Sequence, residues 1–259
     1  MLGIVICILA PLVGTIIGSG LVFFTKNKLN ARVEKLLLGF ASGVMIAASI
    51  WSLIIPSIEM SENMGKFSII PASVGFMLGM IFLLVLDSFL PHLHRYTEVP
   101  EGTHSNFKKR TMMFLAVLIH NIPEGMAIGI VISGYLFGNV ELSLMAALAL
   151  SIGITIQNVP EGAIVAFDIK HKGESNLKSF TYGVISGVVE PLGALLIILF
   201  GSLFTTSVPY LMAFAAGAMI YVVVEELIPE SQNGNHSNIA TVGVMLGFVL
   251  MMILDVVLG

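Results

Sequence analysis

Charge is what this sequence has least of. Only 11% of its 259 residues are Asp, Glu, Lys or Arg, while 56% are hydrophobic, and the mean hydropathy is +0.98. A water-soluble domain carries about a quarter charged residues, so a soluble fold is excluded. Cysteine is nearly absent: Cys7 stands alone, which rules out an intrachain disulfide and a thiolate metal site. The zinc-protease phrase His-Glu-x-x-His does not occur. No basic residue precedes the first apolar run, which is also longer than a secretory signal, so that run reads as a retained helix. The pI near 5.8 says little about partners, and no nucleic-acid partner is expected.

What remains is hydrocarbon. Apolar stretches of about 20 residues fall at residues 1–24, 36–58, 70–91, 112–133, 142–168, 179–204, 209–230 and 239–258. Eight spans use up the chain as one all-α transmembrane domain, residues 1–259, with the lipid bilayer as its surroundings. Lys26, Lys28, Arg32, Lys35, Arg95, Lys108, Lys109, Arg110, Lys170, Lys172 and Lys178 all fall in loops on one side, and Lys66 alone on the other. Positive charge stays cytoplasmic, so both termini are expected outside the cytoplasm, in the plasma (inner) membrane.

Two anomalies interrupt the apolar pattern. His120-Asn121-Ile122-Pro123-Glu124-Gly125 returns 37 residues later as Gln157-Asn158-Val159-Pro160-Glu161-Gly162. A charged side chain in hydrocarbon costs roughly 2.5–3.5 kcal/mol on insertion scales. Proline also removes a helical hydrogen bond that lipid cannot replace, freeing the carbonyls of Ile119 and Ile156. His120 and Glu124 lie one turn apart on one helix face, as do Gln157 and Glu161. Facing each other, they offer an imidazole, two carboxylates and an amide oxygen to one cation. Asn121 and Asn158 sit about 100° round their helices and can serve an adjacent position, with Glu190 of the sixth span as a further carboxylate. With Glu124, Glu161 and Glu190 in the bilayer and no basic residue within the spans away from their ends, either the glutamates are protonated or a cation compensates them: one divalent ion leaves a deficit of one charge, two leave a surplus of one. The nitrogen and oxygen ligands suit Zn(II), Fe(II) or Mn(II) and disfavour Cu(I). The metal is read as substrate, and no catalytic cofactor is expected.

The chain also repeats. Phe40-Ala41-Ser42-Gly43-Val44-Met45-Ile46 matches Phe214-Ala215-Ala216-Gly217-Ala218-Met219-Ile220. Val74-Gly75-Phe76-Met77-Leu78-Gly79, with Leu86-Asp87 after it, matches Val242-Gly243-Val244-Met245-Leu246-Gly247 with Leu254-Asp255. Pro11-Leu12 against Pro191-Leu192 is weaker. Spans 1–3 (residues 1–92) thus look like a copy of spans 6–8 (residues 179–259), turned over by an offset of five. The arrangement is 3+2+3, with the motif helices, residues 111–168, between the repeats. Inverted repeats and proline-broken helices are features of secondary transporters, whose substrates bind near the midplane. Glycines four apart, such as Gly14/Gly18, Gly39/Gly43 and Gly243/Gly247, read as close-packing faces and make a homodimer reasonable.

Weaker candidates lie at the ends. Asp87, His92 and His94, with Glu226 among Glu225, Glu226 and Glu230, fall on the cytoplasmic side as a candidate exit. Asp255 and Glu59 fall on the outer side as a candidate entrance. His104, His171 and His236 are loop histidines.

The paired His-Asn-x-Pro-Glu-Gly and Gln-Asn-x-Pro-Glu-Gly phrases, followed by Glu190-Pro191, resemble the ZIP (Zrt/Irt-like) metal transporters, most closely the GufA-type branch. The resemblance covers all eight spans. It implies a binuclear centre, with His120, Glu124, Gln157 and Glu161 at one ion, Asn121, Asn158 and Glu190 at the other, and Glu124 and Glu161 bridging. It further implies divalent-metal uptake, most simply of zinc with cadmium or iron as further cargo, by elevator-like movement of helices 1, 4, 5 and 6 against 2, 3, 7 and 8. Asp87, His92, His94 and Glu226 match positions used on the cytoplasmic side. Many relatives carry His where Gln157 stands and Asp where Asn158 stands, and these neutral ligands bear on ion preference. Two alternatives use the same ligands: an intramembrane binuclear metalloenzyme, and a metal exporter or channel.

Overall fold

The computed structural model describes residues 1–25, 29–93, 99–105, 107, 109–138, 142–234 and 237–259, without the side chains of Lys109 and Arg110. Among these, eight helices are long and apolar enough to cross a membrane. They are α1 (Leu2–Phe23), α2 (Ala31–Glu59), α3 (Ile69–Phe89), α4 (Thr111–Leu136), α5 (Leu144–His171), α6 (Asn176–Leu203), α7 (Thr205–Gln232) and α8 (Ile239–Leu258). The chain is an all-α integral membrane protein, and the described residues hold no strand beyond an isolated bridge between His92 and Glu101.

Several helices start earlier or run further than the apolar stretches because they are capped in the polar flanks. Asn30 accepts from the amide of Arg32, Ser143 from Ala146 and Ser175 from Lys178. Each side chain satisfies an amide that a helix start leaves without a partner. At the other end of α5, Lys170 Nζ donates to the carbonyls of Val22 and Thr25 at 3.1 and 2.7 Å, tying α5 to the end of α1.

Burial sorts the helices. The windows of α2, α4 and α5 are 67% buried, whereas those of α3 and α8 are 28% and 17% buried, so α2 and the two proline-phrase helices form the centre and α3 and α8 lie at the rim. Met45, Leu150, Ile154, Met212 and Met219, from α2, α5 and α7, are almost fully buried together. Outward positions such as Leu78, Leu196, Met245 and Val256 are more than half exposed, which suits a surface facing lipid rather than water.

Glycines let the helices touch backbone to backbone. α2 runs against α8, α3 against α7, α1 against α5 and α6, and α4 against α6. A Cβ added at Gly43 would land on the carbonyl of Val244, and one at Gly247 on that of Phe40. Gly79 meets Phe214 and Gly217 meets Phe76 in the same way. The small-residue faces therefore close the bundle from within.

Candidate metal centre

Halfway along α4, α5 and α6, the two phrases and Glu190 come together. Both helices run unbroken through Pro123 and Pro160, so each phrase keeps its one-turn spacing. Asn121, Glu124, Gln157, Asn158 and Glu190 are each 1% exposed. Gln157 Nε2 donates to Glu124 Oε1, joining the two phrases directly. Asn158 Nδ2 donates to both oxygens of Glu190 at 2.8 Å and to the carbonyl of Pro11 at 3.2 Å. Asn121 Nδ2 donates to the carbonyl of Ser186 at 3.0 Å and to Glu190 Oε1 at 3.4 Å. Glu161, partly buried, interacts with Gln157 and Glu226, and the carboxylates of Glu124, Glu161 and Glu190 are close enough to repel one another.

The amide nitrogens are thus satisfied and the oxygens are not. Asn121 Oδ1, Glu124 Oε2, Gln157 Oε1 and Asn158 Oδ1 are buried without a hydrogen-bond donor. A buried acceptor left unpaired costs about 1–3 kcal/mol, and four in one cluster is far from the native rule of nearly complete pairing. A cation would supply what the protein does not. All four atoms are hard oxygen donors with no thiolate among them, a set suited to divalent zinc, iron or manganese.

His120 takes a different partner: its Nε2 is in ion-pair contact with Glu226 of α7. Glu226, expected at the exit with Asp87 and His92, therefore reaches into the central cluster. A cavity of about 50 Å³ runs beside this contact, with His120, Glu124, Glu161, Glu226 and Met45 among its walls. A second cavity of about 50 Å³, bounded by Leu93 and Asp168, shares Glu226 and Glu230 with it. Together they lead from the cluster towards the ends of α5 and α7.

At the far end of α3, Asp87 and His92 gather Glu101, with one ligand atom of each within 4.8 Å of the others. His92 Nε2 lies 3.0 Å from Asp87, while its Nδ1 hydrogen-bonds the carbonyl of Leu90 at 2.8 Å. Donation from Nδ1 fixes the ring with Nε2 turned inward, the usual support for a metal-binding imidazole. Tyr221 donates to Asp87 at 3.2 Å. Glu101 is held by a pair of backbone bonds with His92, of 3.2 and 2.9 Å. Nothing in the sequence marks this partner, which a polar loop brings in through backbone pairing. His94 lies outside the described residues, as does His236. His104 and His171 are exposed.

At the opposite end, Asp255 is bound by Ser52, a residue with no mark in the sequence, while Glu59 stands exposed at the end of α2.

A family model described as "ZIP Zinc transporter" matches residues 2–111 and 101–255. "Zinc transporter ZIPB" of Bordetella bronchiseptica is 38% identical over 256 residues, covering 96% of this chain and 78% of that protein. "Zinc transporter GufA" of Myxococcus xanthus is 34% identical, covering 96% of both chains. "Zinc transporter ZIP11" of Homo sapiens is 33% identical, covering 95% of this chain and 94% of that one. With both the family model and full-length relatives matched from end to end, the chain belongs to the ZIP zinc transporter family.

Proposed function

We propose that this protein carries zinc, and with it cadmium, iron or manganese, towards the cytoplasm of the cell it is embedded in. It is a transporter of divalent metal and not an enzyme. The four unpaired buried oxygens of Asn121, Glu124, Gln157 and Asn158 carry the reading. Glu124 and Glu161 bridge two adjacent ion positions, the first completed by His120 and Gln157 and the second by Asn121, Asn158 and Glu190. A metal leaving the first position passes from His120 to Glu226, along the paired cavities, and out past Asp87, His92 and Glu101; His94 belongs to the same exit. Asp255 and Glu59 attract the ion at the other end. The termini lie outside the cytoplasm, in the plasma (inner) membrane.

The mechanism is a movement of α1, α4, α5 and α6 against α2, α3, α7 and α8. Packing supports this division: α4, α5 and α6 carry the metal ligands and pack on one another and on α1, while α2 with α8 and α3 with α7 form glycine-lined pairs. Those two pairs are also what a 3+2+3 inverted repeat requires, since α2 corresponds to α7 and α8 to α3.

The test is zinc uptake into proteoliposomes with competing cadmium, iron and manganese. Wild type takes up zinc, whereas Glu124→Ala and Glu161→Ala do not. Undiminished flux in both variants would sink the site assignment.

A further inference from the structure

Ser52 and Glu226 occupy matched places in the two halves of the chain. The Phe40–Ile46 phrase and its copy at Phe214–Ile220 lie 174 residues apart, and so do Ser52 and Glu226. Beyond each phrase the helix opens into one wide turn, Ser49–Ile54 in α2 and Val223–Leu227 in α7. In each, an isoleucine amide bonds five residues back: Ile55 to the carbonyl of Ile50, and Ile228 to that of Val223. Proline follows at once in both, Pro56 and Pro229. A proline ring clashes with the carbonyl four residues before it, and an extra residue in the turn relieves the clash. Turns of this kind concentrate at functional sites.

Each wide turn directs one buried polar side chain at an ionisable group on another helix. Glu226, 7% exposed, meets His120. Ser52, 8% exposed, donates from Oγ to Asp255 Oδ1 at 2.7 Å and Oδ2 at 2.9 Å. The aspartates are themselves a matched pair, Leu86-Asp87 and Leu254-Asp255, and each receives a hydroxyl from the helix packed beside it: Tyr221 of α7 for Asp87, Ser52 of α2 for Asp255.

We propose that Ser52 is the outer counterpart of Glu226 and a positioning residue of the entrance, where its hydroxyl fixes the Asp255 carboxylate to meet the incoming divalent cation. The wide turn beside Pro56 puts it there, as the one beside Pro229 delivers Glu226 at the inner end. Ser52 acts through Asp255 and need not touch the metal. The proposal rests on the transport reading above.

The experiment is initial zinc uptake, at a range of external zinc concentrations, by the full chain in proteoliposomes of known orientation. Ser52→Ala raises KM about tenfold or more, as loss of a hydrogen bond to a carboxylate gives, and leaves kcat within about twofold. Ser52→Thr, which keeps the hydroxyl, restores most of the affinity. In an Asp255→Asn background, Ser52→Ala adds no further loss, since coupled residues are not additive. An unchanged KM in Ser52→Ala, equal impairment in Ser52→Thr, or full additivity with Asp255→Asn overturns the proposal. If wild type moves no zinc, the transport reading itself falls, and this inference with it.

Discussion

Asn158→Asp tests whether the central cluster is built around a missing positive charge. In the wild type, Asn158 Nδ2 lies 2.8 Å from both oxygens of Glu190 and 3.2 Å from the carbonyl of Pro11. Aspartate has no hydrogen to give, so the variant loses bonds to a charged group worth about 1.5–3 kcal/mol. It also sets a second anion beside Glu190; two like charges about 4 Å apart repel by about 4 kcal/mol at an effective dielectric of 20. Relaxation recovers part of this, leaving a loss of about 3 kcal/mol in metal-free buffer. For a chain of this size that lowers the melting point by about 6–12 °C. Added zinc reverses the sign of the new contact, because the extra carboxylate becomes an anionic ligand. The zinc-induced rise in melting point is therefore larger in the variant than in the wild type. Thermal melts in detergent with EDTA or with zinc measure both quantities. Equal melting in EDTA, or a zinc-induced rise no larger than in wild type, would refute the reasoning.

Two other predictions follow from packing and from the exit. Gly43→Ala drives a methyl onto the carbonyl of Val244 and costs about 1–3 kcal/mol, whereas Gly20, helical and with nothing within 4 Å of its added Cβ, accepts Ala without loss; melting points of the two variants should separate by several degrees. Glu101→Gln leaves the backbone bridge to His92 in place but removes a ligand, so zinc turnover falls about threefold or more with KM unchanged; initial uptake rates decide it, and wild-type kinetics would argue against a role at the exit.

The helices and the centre were legible because both are written in what hydrocarbon forbids. Eight apolar runs without a Lys or Arg had one reading, and two glutamates with prolines and amides inside them had few others. The one-turn spacing of His120 with Glu124 and of Gln157 with Glu161 brought the phrases onto facing surfaces. Where α6 brings the Glu190 carboxylate to Asn158, α1 brings the carbonyl of Pro11. Other features depend on three dimensions. The wide turns before Pro56 and Pro229 leave no periodic mark in the sequence, so the turning of Ser52 onto Asp255 could not be read. His120 meets Glu226 across more than a hundred residues of chain. Glu101 joins Asp87 and His92 through a loop with no periodic pattern. The glycine pairs, read as close-packing faces, do pack helix on helix inside the bundle, where they meet backbone carbonyls of neighbouring helices.

The most direct test of the account is X-ray absorption of the purified protein loaded with zinc. The account predicts a first shell of nitrogen and oxygen near 2.0–2.2 Å, with imidazole scattering that disappears in His120→Ala and zinc binding that is lost in Glu124→Ala/Glu161→Ala. A sulfur shell near 2.3 Å, or an unchanged spectrum in the double variant, would place the metal elsewhere and contradict it.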